Sequence, residues 1–281
     1  MLIQGLYKYA ERPIPGLHAD RFARERANAI PIDTSHVLFP EKAASLHGGG
    51  RVAYARNHYY IVQGEEPFNP PYYSGRISGS TPHLWLRQTP ANLLAVADRM
   101  LRVFGFGLRV YDAYRPIEVQ GYLWQRALSD VKLGPLDEMA REASRFRVPG
   151  LKPDGTVNKD FPPPHLTGGA VDLSIRHVSS GELVFMGAIF DENGDAARTE
   201  YFEKKLAEGK GLSHSESEAL DWRRVLYRLL TDLGFRNNPD KFWHWSWGDQ
   251  EWAAMYGSPV AFYGEMHVPP FDQPPYCEIG C

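Results

Sequence analysis

Apolar residues along this chain change period from segment to segment, and the changes mark its elements. After Thr89-Pro90, the residues Leu93, Leu94, Ala97, Met100, Leu101 and Phe104 recur at three- and four-residue steps, which puts them on one face of a helix. Thr89 suits the N-cap, Pro90 the first helical position and Gly105 the stop. Leu108-Arg109-Val110-Tyr111-Asp112 then reads as a short strand. Pro116 biases Arg115 towards an extended conformation and opens a second helix through Val119, Tyr122 and Leu123. Ala170-Val171-Asp172-Leu173-Ser174-Ile175 is a strand with alternating faces, and His177 falls in the turn that follows it. A helix is expected near Thr199–Ala207 and a stronger one from Ser215, where Ser215-Glu216-Ser217-Glu218 resembles a capping box. Leu220, Leu226, Leu229, Leu230 and Leu233 form its buried stripe, and Gly234 ends it. Phe235 to Trp247 returns as a strand-rich segment.

The first ninety residues behave differently. They are rich in Pro, Gly and Tyr and lack a sustained helical period, so short strands such as Arg51–Ala55 and Tyr59–Val62 are expected there. Pro67-Phe68-Asn69-Pro70-Pro71-Tyr72-Tyr73 reads as an extended loop and a wall of a pocket, because proline removes backbone donors and restricts its neighbours. Residues from Arg147 to Pro164 read as a surface loop. Helices before and after short strands predict an α+β fold. Its expected form is a single domain with a small, mostly antiparallel sheet flanked by helices and a metal site at the sheet. Residues 1–88 are expected as a Pro/Tyr-rich part packed on a core of residues 89–262, with residues 263–281 as a Pro-rich tail.

Composition narrows the classes. The chain has 281 residues, enough for a substantial core, and a net charge of −3. That charge leaves no basic footprint for nucleic acid and no polybasic membrane patch. No apolar stretch reaches bilayer length, and Met1-Leu2-Ile3-Gln4-Gly5-Leu6-Tyr7 lacks a secretory signal pattern. A cytoplasmic location is therefore expected. The two cysteines, Cys277 and Cys281, read as thiols on the tail rather than a metal or redox pair.

Candidate chemistry concentrates in two stretches, Pro164-His165-Leu166-Thr167-Gly168-Gly169-Ala170-Val171-Asp172 and Phe242-Trp243-His244-Trp245. His165, Asp172 and His244 make a three-ligand set with an open position, the arrangement of a catalytic zinc site. The same ligand types make the facial triad of non-heme iron enzymes, so ligand identity alone leaves Zn2+ and Fe2+ both open. The glycine pair between His165 and Asp172 lets a loop and a strand converge on one ion.

Val110-Tyr111-Asp112-Ala113-Tyr114-Arg115-Pro116, the His165–Asp172 stretch, and Phe242-Trp243-His244-Trp245-Ser246-Trp247-Gly248-Asp249-Gln250 together resemble the D-alanyl-D-alanine dipeptidases. These are zinc peptidases of the group that includes the vancomycin-resistance enzymes. Met186-Gly187-Ala188-Ile189-Phe190-Asp191 also looks like a segment of that family. The resemblance implies that His165, Asp172 and His244 ligate zinc, and that Arg115 points into the site to stabilise a developing oxyanion. A structural salt bridge from Arg115 to Asp112 is the competing reading.

The pattern breaks at one catalytic position. In the family a glutamate three residues before the last ligand serves as general base; here that position is Lys241. A charged lysine has no acceptor. Asp240 is adjacent, but on a strand it points to the opposite face and replaces the glutamate only if a bulge shifts the register. The family's Ser two residues before the first histidine is Pro163 here. Trp243, Trp245 and Trp247 crowd the last ligand, as walls for a larger substrate or as core. The leading expectation is a zinc-dependent hydrolase that cleaves a small peptide or amide with an altered general base. One alternative is a repurposed metalloenzyme with Fe(II) chemistry on an amino-acid-derived metabolite, and a second is an inactive binding protein. The expected partner is a small-molecule or dipeptide-like substrate.

Overall fold

A computed structural model describes residues 4–15, 43–45, 77, 79, 84–130, 157–192 and 194–266. In chain order these form a 3-10 turn at Gln4–Leu6, α1 (Tyr7–Ala10), β1 (Ala43–Ser45), β2 (Trp85–Arg87), α2 (Gln88–Arg102), β3 (Phe106–Asp112) and α3 (Ile117–Asp130). A second 3-10 turn, Pro164–Thr167, leads into β4 (Ala170–His177). After it come α4 (Tyr201–Ala207), α5 (His214–Asp232), β5 (Arg236–Asn237), β6 (His244–Ser246) and α6 (Gln250–Tyr256). β3, β4, β6 and β5 lie in that order in one antiparallel sheet, and β1 pairs with β2. The expected α+β fold with a small antiparallel sheet is the one observed.

The sheet sorts its residues by face. Val171, Leu173 and Ile175 of β4 join Leu108 and Val110 of β3, with Leu94, Ala97 and Leu101 from α2 and Val225, Leu226, Leu229 and Leu230 from α5. Burying each such side chain contributes roughly 1.5–3 kcal/mol. Leu6, Ala10 and Ile14 belong to the same core. Asp98 ties α2 to the sheet, accepting from the Leu108 amide at 2.8 Å and from Arg102 Nε at 2.6 Å. Ala170, Asp172 and Ser174 alternate with the core residues and so face the other way.

Several local expectations are corrected. α2 starts at Gln88 with Arg87 at its N-cap, because β2 runs directly into the helix and places Thr89 inside the first turn. Arg87 gives no side-chain cap; its guanidinium bonds the Thr167 and Gly264 carbonyls. Met100 and Tyr122 fall off the buried stripes and are exposed. The capping box on α5 is Ser213 with Glu216, two residues before the expected one, since these side chains bond each other's backbone amides. β4 continues to His177, which pairs with Phe106 and packs on its ring. Phe161 and Pro162–Pro164, expected on the surface, are buried. Residues 238–243 form a turn rather than part of a strand. The expected elements at 51–55, 59–62 and 67–73, and both cysteines, lie outside the described residues. No described helix is long and apolar enough to cross a membrane.

Candidate metal centre

Cross-strand register builds the site. Asp172 of β4 lies directly opposite His244 of β6 and also opposite Asp112 of β3. Residues paired in this way present their side chains on the same face, so Asp112, Asp172 and His244 form one polar row across three strands. A register shift between Val110 and Asp112 makes the row possible. Without it, Tyr111 would stand opposite Asp172; instead Tyr111 stacks on Phe190 in the core. Bulges re-aim side chains in this way beside functional sites.

His165 arrives from the 3-10 turn. Gly168 follows with φ of 69°, in the left-handed region that favours glycine. Gly169 is held so close to β6 that a Cβ there would sit 2.6 Å from the Trp247 carbonyl oxygen. The pair thus provides the tight turn and close approach expected of it. His165 Nδ1 lies 2.7 Å from the Ala113 carbonyl. A carbonyl only accepts, so Nδ1 carries the proton and Nε2 presents its lone pair. That lone pair faces His244 Nδ1 at 3.2 Å and Asp172 Oδ2 at 3.4 Å. His244 Nδ1 is 2.8 Å from Asp172 Oδ1.

Ligand atoms of His165, Asp172 and His244 therefore lie within 4.8 Å of one another, all buried. Two imidazole nitrogens and a carboxylate fit a metal cation with an open position. The bond from His165 Nδ1 to a backbone carbonyl fixes its tautomer as it does in metal-ligating histidines. Protonation states fit as well. Burial works to raise the Asp172 pKa, but interactions with His165 and His244 outweigh it and hold the carboxyl well below its usual range. Burial, then the charge of Arg115, push the His165 imidazole below its ordinary value. An ionised carboxylate and a neutral imidazole are the forms a metal requires.

Arg115 lies beside this cluster, its Nη2 3.7 Å from Asp172 Oδ2. It also makes the salt bridge that was the competing reading: Nε and Nη2 donate to Asp112 Oδ2 at 2.9 and 2.5 Å, and Nη1 donates to Gln120 Oε1 at 2.8 Å. Burial alone would lower its pKa, but Asp112 and Asp172, with a smaller contribution from Asp191, raise it. Burial raises the Asp112 pKa despite Arg115. Gln120 and Asp191 were not singled out from sequence. Gln120 was legible only as a polar residue one helical turn after Pro116. Asp191 has φ of 67°, unique among the described non-glycine residues, and a one-dimensional sequence does not display that.

The remaining candidates are placed differently. Lys241 is buried, and its carbonyl accepts from the His244 amide at 3.1 Å. Asp240 lies in the turn, so strand alternation does not govern it, and its carboxylate pairs with Arg198 at 3.2 Å. Trp243 and Trp245 are core residues, each 1% exposed, and not pocket walls. Trp247 packs among Trp252, Phe262 and Tyr263.

Comparison with known proteins places this geometry in context. A peptidase family described as D-ala-D-ala dipeptidase matches residues 80–261. The D-alanyl-D-alanine dipeptidase of Synechocystis sp. is 28% identical over 170 residues, covering 56% of this chain and 68% of that protein. Those of Enterococcus faecalis and Enterococcus faecium are each 25% identical, covering 60% and 59% of this chain and 76% and 74% of their own lengths.

Proposed function

The chain belongs to the D-ala-D-ala dipeptidase family of peptidases, and from that premise we propose that it is a zinc-dependent hydrolase of small peptides or amides with an altered proton-transfer step. The observation that carries this reading is the buried His165–Asp172–His244 cluster with Arg115 against it. A zinc ion held by these three ligands would supply Lewis acidity to the scissile carbonyl and acidify water at the site.

The chain's own residues do the rest. Asp112 and Gln120 hold the Arg115 guanidinium in a fixed orientation before substrate arrives. It then stabilises negative charge on the carbonyl oxygen without reorganising. Burial of the cluster excludes bulk water, which strengthens that interaction. Lys241 stands where the family resemblance places a carboxylate base, and a lysine ammonium accepts no proton. Asp240 is drawn towards Arg198, which disfavours it as a replacement. General acid–base groups contribute about 10²–10⁴-fold in rate, so hydrolysis by the native chain is slow.

Metal analysis of protein purified without added ions, paired with a D-Ala-D-Ala hydrolysis assay, tests the reading. Zinc should be found at one ion per chain. Lys241→Glu should raise the weak native rate by about 10²-fold or more. Iron in place of zinc, or no gain from Lys241→Glu with zinc bound, would refute the respective half of the proposal.

A further inference from the structure

Around the last ligand, the hydrogen bonds converge on one buried amide. Asn237, 3% exposed, sits at the end of β5, just before the 238–243 turn that carries Lys241 and ends at His244. Its Nδ2 lies 3.1 Å from the Lys241 carbonyl, 3.3 Å from that of Phe242 and 3.0 Å from that of His244. Its Oδ1 accepts from Thr199 Oγ1 at 2.5 Å, and Thr199 is 2% exposed. The Thr199 amide in turn donates to the Pro239 carbonyl at 3.0 Å, and the Phe242 amide to that of Ala197 at 2.9 Å.

This arrangement has a direction. Three carbonyl oxygens face the amide, so it presents nitrogen to them and oxygen to Thr199. The threonine hydroxyl enforces that choice, because its proton needs an acceptor and the asparagine oxygen is the nearer of the two it meets, the other being the Asn238 carbonyl at 3.3 Å. With the amide reversed, an oxygen would face three carbonyl oxygens in a buried setting, which costs more than a lost bond. The segment supplying Thr199 is itself anchored. Arg223 of α5 donates to the carbonyls of Met186, Ala196 and Arg198 at 2.5–2.6 Å, between the rings of Phe202 and Phe242.

Building on the proposed metal reading, we infer that Thr199 and Asn237 are positioning residues for the metal centre. Their hydrogen-bonded pair sets the path of the 238–244 turn and thereby the angle at which His244 meets the ion. Partners outside the ligand shell commonly tune metal affinity by 10–100-fold. Asn237 reaches His244 only at its backbone carbonyl, so the effect of the pair passes through the backbone of the turn.

Three variants test this without relying on turnover. Thr199→Val is nearly isosteric but lacks the hydroxyl, Thr199→Ser keeps it, and Asn237→Asp removes the donors that serve the carbonyls. Zn(II) affinity is read by competition with a chromophoric chelator, ligand geometry by the visible spectrum of the Co(II)-loaded protein, and the fold by melting of the metal-free form. Thr199→Val and Asn237→Asp should weaken Zn(II) binding by about tenfold or more and alter the Co(II) spectrum, while Thr199→Ser stays close to wild type. Wild-type affinity and spectrum in Thr199→Val overturn the inference, as does an equal loss in Thr199→Ser. Wild-type protein that binds neither ion refutes the metal reading itself and this inference with it, an outcome distinct from equal binding by all variants.

Discussion

Arg115 shows how one side chain takes two roles that sequence treats as rivals. A salt bridge to Asp112 and a place at the metal cluster are both present, because the guanidinium has donors pointing several ways and Asp112 stands in the same cross-strand row as Asp172. The bridge orients the charge, and under the proposed function the charge would serve the site. Lysine would keep the charge but could not span Asp112 and Gln120 with a planar fork. Arg115→Lys is therefore expected to lower the hydrolysis rate by about 10²-fold with zinc content intact. Steady-state kinetics beside metal analysis reads this, and unchanged kinetics would confine Arg115 to a structural role. Lys241 is the residue-scale counterpart in the proposed reading: a single identity that would change proton chemistry while leaving the His165–Asp172–His244 cluster in place.

At the scale of elements, the turn between β6 and α6 carries a titratable cap. Asp249 accepts from the Trp252 amide at 2.8 Å at the start of α6. Burial, and then Glu251, push its pKa up to about 7. The folded state therefore holds this proton more tightly than the unfolded chain, where an aspartate titrates near about 3.9. The resulting stabilisation is complete below the unfolded pKa and is lost as pH rises through about 7. Asparagine keeps a cap oxygen and does not ionise. Asp249→Asn should gain melting temperature relative to wild type as pH rises from about 5 to about 8, by several degrees if the shift is fully expressed. Taking the difference between the two proteins cancels carboxylates such as Asp172, whose pKa moves the opposite way. A constant difference across that range would show that Asp249 is not titrating there. The helices were legible from their periodic stripes and stops, as in Leu94, Ala97 and Leu101 of α2 and Gly234 after α5. The starts of α2 and α5 were not, because β2 and the Ser213–Glu216 box fix them through backbone bonds that the apolar pattern does not encode, whereas α3 starts directly after Pro116 as expected.

Across the whole molecule, the sheet separates stability from chemistry. Its core face carries Leu108, Val110, Val171, Leu173 and Ile175 against α2 and α5, while Asp112, Asp172 and His244 occupy the other. Removing the ion should therefore leave the fold standing. His165→Ala is expected to abolish zinc binding with little change in far-UV circular dichroism, and chelation of the wild type should lower the melting temperature without unfolding at 25 °C. Loss of helical signal on chelation would mean that the metal, not the core, holds the domain together. By itself the sequence determined the residue types of the His165–Asp172–His244 cluster, the glycine pair that brings His165 to the sheet, the identity of Lys241 and the α+β class, since each follows from residue identity or local period. Only tertiary structure decided the register shift that moves Asp112 into line with Asp172, the inward turn of Trp243 and Trp245, the Arg198 partner of Asp240, and the Thr199–Asn237 support behind His244. The reason is physical: local period says which residues share a face, whereas pairing between strands far apart in sequence decides which faces meet.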